Sequence, residues 1–175
     1  MVSQKYEDYH KGLVARYMNK IFVEIAKICN RDGEKLILDF GGGYGHLSKF
    51  LVCNDVVVYD VVPELSQVED YRQLKPNIIV CCHVLEHMSS EDIENTMREF
   101  IKMTPNKLII ALPTENIFSK IGVWITRLKS AYEDIPHLTT YKEVNKIVER
   151  YFKLVNRKYL VCKMTQLSIY ENALG

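Results

Sequence analysis

No apolar run in this sequence approaches the length needed to cross a membrane, and residues 1–11 are too polar for a secretory signal. A charge of one sign is missing as well. Lys and Arg total 23 against 22 Asp and Glu, so the net charge is +1 at pH 7, and no basic tail or run exists to draw in nucleic acid or an anionic surface. Cysteine is present without a pattern. Cys29, Cys53, Cys81, Cys82 and Cys162 include no Cys-x-x-Cys, their number is odd, and most have apolar neighbours. Reduced, buried thiols in a cytoplasmic protein are the expectation. Repeats, low-complexity tracts and linkers are also lacking, so the 175 residues are expected to form a single domain, 1–175.

What is present alternates between two periods. Val14, Met18, Ile21, Ile25 and Ile28 have helical spacing and predict an N-terminal helix within residues 1–30, stopped by Asn30-Arg31-Asp32-Gly33. Lys35 to Phe40 reads as a buried strand feeding a glycine turn, and Leu47, Phe50 and Leu51 as one face of a short helix after it. Val56 to Tyr59 makes a second strand. A brief third is expected near Gln67–Val68, a fourth over Asn77–Cys82 and a fifth over Lys107–Leu112. Ser89-Ser90-Glu91-Asp92 has the composition of a helix start, and Thr140-x-x-Glu143 the spacing of a capping box. Leu154–Leu160 and Gln166–Tyr170 suit a closing pair of strands. This order predicts an α/β fold: a doubly wound, mostly parallel seven-stranded sheet with helices on both faces and an antiparallel final strand.

A strand entering a helix through bare backbone lets a ligand approach, because no Cβ intervenes. Dinucleotide folds use Gly-x-Gly-x-x-Gly. Counted from Gly41 the third place falls on His46, and counted from Gly42 it falls on Leu47, so neither frame matches. Asp39-x-Gly41-x-Gly43-x-Gly45 instead sets glycines at alternate positions behind an acid.

That spacing resembles the first motif of the class I (seven-stranded) S-adenosylmethionine-dependent methyltransferases. Val57-Val58-Tyr59-Asp60 resembles their second strand, His83-Val84-Leu85-Glu86-His87 the turn after their fourth, and Leu108-Ile109-Ile110-Ala111-Leu112-Pro113 their fifth. Pro136-His137-Leu138 before a capped helix resembles a stretch of the small-molecule members. The likeness runs over roughly residues 35–170 and implies S-adenosyl-L-methionine as cofactor. By it, residues 35–112 form the cofactor-binding half, 113–139 an acceptor lid, and 140–175 the C-terminal helix and strands. Gly41, Gly43 and Gly45 would face the methionine portion, and Asp39 would orient the loop or meet the amino group. Asp60 would take both ribose hydroxyls, as a carboxylate can from a vicinal diol. Val61 would flank adenine with Asp70 as a candidate partner of its amino group, and Cys82 and His83 would follow the sulfonium. Where members often carry Asp, this chain has Asn77.

The acceptor is expected to be a small molecule methylated at oxygen or carbon, since the Asn/Asp-Pro-Pro-Tyr/Phe signature of exocyclic-amine methylation is absent. His87 and Glu86 stand where a base could reach it, although Glu-His at this turn can equally brace the loop. His83-x-x-Glu86-His87 with His137 also resembles the Glu-x-x-Glu-His…His arrangement of metal-dependent 2′-O-methyltransferases of small RNAs, with His83 replacing the first Glu. Glu86, His87 and His137 are therefore candidate ligands of a divalent metal, a reading ranked behind the metal-free one. Trp124 and Tyr132 in the lid could wall a flat acceptor, or simply pack on the sheet. Tyr6, Tyr9, His10 and Arg16 could close over the cofactor. An RNA methyltransferase and a non-catalytic cofactor-binding partner subunit are the alternatives, and oligomerisation stays open.

Overall fold

The computed structural model describes residues 12–32, 35–52, 55–114 and 136–172. Helix α1 (Gly12–Cys29) leads into strand β1 (Leu36–Phe40), followed by β2 (Asp55–Tyr59) and β3 (Ile78–Cys82). Helix α2 (Ser90–Lys102), β4 (Lys107–Pro113), α3 (Tyr141–Val148), β5 (Phe152–Leu160) and β6 (Thr165–Asn172) complete the order. The strands form one sheet, β2-β1-β3-β4-β6-β5. Pairing is parallel from β2 through β4 and antiparallel for β4–β6 and β5–β6.

The near-continuous apolar runs of β1, β3 and β4 are those of strands covered on both sides. Alternate residues serve two clusters. Ile37, Ile78, Val80, Ile109 and Ala111 pack with Ile21 and Ile25 of α1. Leu38, Ile79, Cys81, Leu108 and Ile110 pack with Met97 and Phe100 of α2 and with Val144 and Val148 of α3. Each buried Val, Leu, Ile, Phe or Met among them contributes about 1.5–3 kcal/mol, against about 1 kcal/mol for a helix cap. Packing sets the fold, and the caps set where helices begin. Ser89 Oγ accepts the Asp92 N–H at 3.1 Å. Thr140 and Glu143 close the expected capping box: Glu143 N–H donates to Thr140 Oγ1, and Thr140 N–H to Glu143 Oε2.

Two expectations are corrected. The described residues hold six strands, not seven, because nothing near Gln67–Val68 extends the sheet. Gln67 N–H does reach Val58 O at 2.9 Å, but its own side-chain Oε1 takes the Val58 N–H, closing a ring at the sheet edge instead of a ladder. Single 3₁₀ turns at Pro63–Leu65 and Tyr71–Gln73 flank it. The segment after the glycine turn is likewise a 3₁₀ turn, His46–Phe50, with only Leu47 buried. Among the described residues no helix is long and apolar enough to cross a membrane.

Strand order reverses between β1 and β3, so their carboxyl ends frame the crevice where open α/β sheets take ligands. The β5–β6 turn reaches the same edge, since Thr165 lies opposite Pro113.

Candidate functional site

The turn leaving β1 can be built only from glycine at two places. Gly41 has φ 70°, and a Cβ there would lie 2.5 Å from a Val84 methyl. Gly45 has φ 67°, with a Val58 methyl 2.9 Å from its would-be Cβ. Gly43 also has positive φ, yet a Cβ there would meet nothing within 4 Å, so its bare face looks into open space. A cavity of about 260 Å³ opens beside Gly43, Gly45, Val58 and Gln67.

Asp60, closing β2, holds this turn. Its Oδ2 accepts the Gly43 N–H at 3.0 Å and its Oδ1 accepts the Val62 N–H at 3.0 Å. Gly41 N–H donates to Tyr59 O at 2.7 Å. Asp39 lies beneath, 3% exposed, with its carboxyl 2.5 Å from where a Gly42 Cβ would stand. Burial first, and the neighbouring Asp60 second, push its pKa up to about 7.

At the end of β3 the chain turns through His83, whose φ of 57° is costly for a residue with a side chain. Its N–H extends the ladder to Ala111 O at 2.9 Å. The ring meets Tyr17 edge-on at 6.0 Å, and Tyr17 hydroxyl is hydrogen-bonded to Thr165. Burial lowers the His83 pKa to about 3 and raises that of Glu86 to about 8. Glu86 is 2% exposed, with Oε1 3.8 Å from His83 Nδ1 and 3.9 Å from His87 Nε2.

Residues 136–139 strap this turn. Leu138 and Thr139 N–H groups donate to Glu86 O, and Thr139 Oγ1 donates to Met88 O at 2.7 Å. The strap brings His137 to 5.0 Å from His87, ring centre to ring centre. Glu86, His87 and His137 thus each offer an atom within 4.8 Å of the others. His87 Nδ1 lies 3.4 Å from Pro136 O, and burial lowers its pKa.

Other expected residues are placed less centrally. Val61 is 85% exposed beside Asp60. Asp70 caps the Tyr71–Gln73 turn and is gripped at both oxygens by Arg72, which holds its carboxyl below the usual range. Cys82 sits beside His83, its thiol pushed well up by burial. Cys29 and Cys81 are buried, whereas Cys162 is exposed. Arg16 lies on an exposed position of α1. Tyr6, Tyr9, His10, Cys53, Trp124 and Tyr132 fall outside the described residues, as does most of the lid. Tyr17, Thr139 and Gln67 went unrecognised in the sequence, because each acts through a partner distant along the chain or through a local ring that no motif encodes.

A family model described as a methyltransferase domain matches residues 9–154. No curated protein matches the sequence. Among solved structures, magnesium protoporphyrin IX methyltransferase from Synechocystis superposes with a TM-score of 0.64 at 15% identity, over 97% of this chain and 94% of that one. The pyocyanin biosynthetic protein PhzM gives 0.70 at 15% identity, over 92% of this chain and 57% of its own. The small RNA methyltransferase HEN1 gives 0.66 at 19%, over 89% of this chain and 25% of its own. At such identities the likeness is one of fold.

Proposed function

Because this chain belongs to the methyltransferase domain family, we propose that it moves the methyl group of S-adenosylmethionine to an oxygen or carbon of a small molecule. The observation carrying this reading is the Gly43–Asp60 pairing at the reversal of strand order: bare backbone facing open space at one end and a carboxylate at the other. The residues suit a nucleoside carrying an amino acid. Each Asp60 oxygen accepts one N–H and keeps a lone pair for a ribose hydroxyl. Asp39, buried with no cation beside it among the described residues, would be held ionised by an amino group placed over Gly41 and Gly43. Val61 and Asp70 border the base side, and Cys82 and His83 border the sulfonium.

When bound, S-adenosylmethionine supplies both the methyl group and its leaving group. This chain aligns the acceptor and handles its proton. Glu86 and His87, at the carboxyl end of β3, are the groups placed to accept it. Glu86, raised by burial, is matched to a hydroxyl better than an ordinary carboxylate.

Calorimetry with S-adenosylmethionine and S-adenosylhomocysteine tests the cofactor assignment, with Asp60→Ala as the control. No heat with either ligand refutes it. Turnover of methyl-labelled cofactor against metabolite pools then identifies the acceptor. An RNA acceptor is disfavoured by the balanced charge, and strong heparin retention at moderate salt would revive it.

A second reading rests on the Glu86, His87 and His137 cluster. His87 Nδ1 faces Pro136 O, a placement that leaves Nε2 to a metal, and two imidazoles with one carboxylate suit a divalent transition ion. Such an ion would lower the pKa of an acceptor hydroxyl. Titration with Mg²⁺, Mn²⁺, Co²⁺ and Zn²⁺ decides it. Silence throughout, and activity indifferent to chelator, retires the metal.

A further inference from the structure

Among the described residues, the buried side-chain atoms that make no hydrogen bond number three, and they are neighbours: Oε1 and Oε2 of Glu86, and Nε2 of His83. Asn145 donates to Gln166 and accepts from Tyr170, and Thr139 reaches Met88 O. Leaving a buried polar atom unpaired costs about 1–3 kcal/mol. His83 adds the cost of a left-handed backbone. One turn therefore concentrates an expense that stability does not explain, at the carboxyl end of β3, next in sequence to Val84, whose side chain faces Gly41.

We propose that Glu86 and His83 form the subsite for a neutral, hydroxyl-bearing head of the methyl acceptor, Glu86 receiving the hydroxyl's hydrogen bond and His83 Nε2 meeting a second polar atom. This rests on the methyltransferase reading above. Above about pH 8, where the probes are applied and Glu86 is ionised, its oxygens only accept, so its ligand must bring donors. Phosphates and carboxylates bring only acceptors and a repelling charge, and the described contacts to Glu86 include no lysine or arginine. The subsite admits hydroxyls and refuses anions.

Phenol and phenyl phosphate serve as probes, followed by ligand-observed NMR with and without S-adenosylhomocysteine, in wild type, Glu86→Leu and the isosteric Glu86→Gln. Wild type should bind phenol and not phenyl phosphate. Both variants should weaken phenol about tenfold or more. Glu86→Leu should melt higher than wild type, because an unpaired carboxyl is gone, while both keep wild-type affinity for S-adenosylhomocysteine. Phenol failing to bind, phenyl phosphate binding as well as phenol, or both variants melting lower overturns the proposal. So does phenol binding that appears only with added metal and vanishes with chelator. If wild type gives no heat with S-adenosylhomocysteine, the cofactor assignment fails instead, and the phenol results still judge the subsite.

Discussion

The N–H of Gly43 and the Oδ2 of Asp60 meet at 3.0 Å, tying the tip of the glycine turn to the end of the neighbouring strand. Asp60 is thus a structural latch as well as the proposed ribose contact. Asp60→Ala should lower stability by about 1–3 kcal/mol, as expected for lost charge-assisted bonds to backbone, and should remove measurable S-adenosylhomocysteine binding. Asp60→Asn should restore much of the stability and little of the affinity. Thermal melts and calorimetry on the pair separate the two roles.

Two glycines of the same turn should fail differently. Gly41→Ala meets the Val84 methyls as well as backbone strain, so the fold itself should suffer by more than the about 1–2 kcal/mol of a left-handed residue alone. Gly43→Ala carries only the backbone cost, because its Cβ enters open space. That variant should remain folded yet bind S-adenosylhomocysteine at least about tenfold more weakly. Equal melting losses would contradict the assignment.

Asp39 makes stability depend on pH. Its folded pKa of about 7 lies above the ordinary 3.8, so the fold prefers the protonated acid. That stability is complete below the unfolded value and is lost as pH rises through about 7, by on the order of 4 kcal/mol. The melting temperature should therefore fall between pH 5 and pH 8. Glu86, also raised, acts in the same direction. Asp39→Asn should flatten the slope without abolishing it, and an unchanged slope would show that Asp39 is not the group concerned.

Thr139 is buried and holds the strap that carries His137. Thr139→Val keeps the volume and removes the bond to Met88 O. Turnover should drop several-fold with a melting change of about 1 kcal/mol. A loss of turnover matched by an equal loss of folded protein would assign Thr139 to stability alone.

Much of this architecture was legible because it is local. The runs in β1, β3 and β4, the Ser89 cap and the Thr140–Glu143 box are written in contiguous residues, and the structure repeats them with end-shifts of a residue or two. The errors arose where a side chain replaced a backbone partner. Gln67 satisfies Val58 with its own amide, so a strand expected there is spent in one ring. Asp70, expected from the sequence as a partner for adenine, also pairs with Arg72, a contact not anticipated from the sequence. Glu86, His87 and His137 could be proposed as a group, but the strap through Leu138 and Thr139 that unites them is a long-range contact, and sequence spacing does not encode it.

The bonds from Asn145 to Gln166 and from Tyr170 to Asn145 tie α3 to β6. His137, just ahead of that helix, is thereby tied to β6 as well as to the turn it touches. If His137 faces the acceptor as proposed, a change at Tyr170, deep in the interior, should be registered as a misaimed imidazole at the rim.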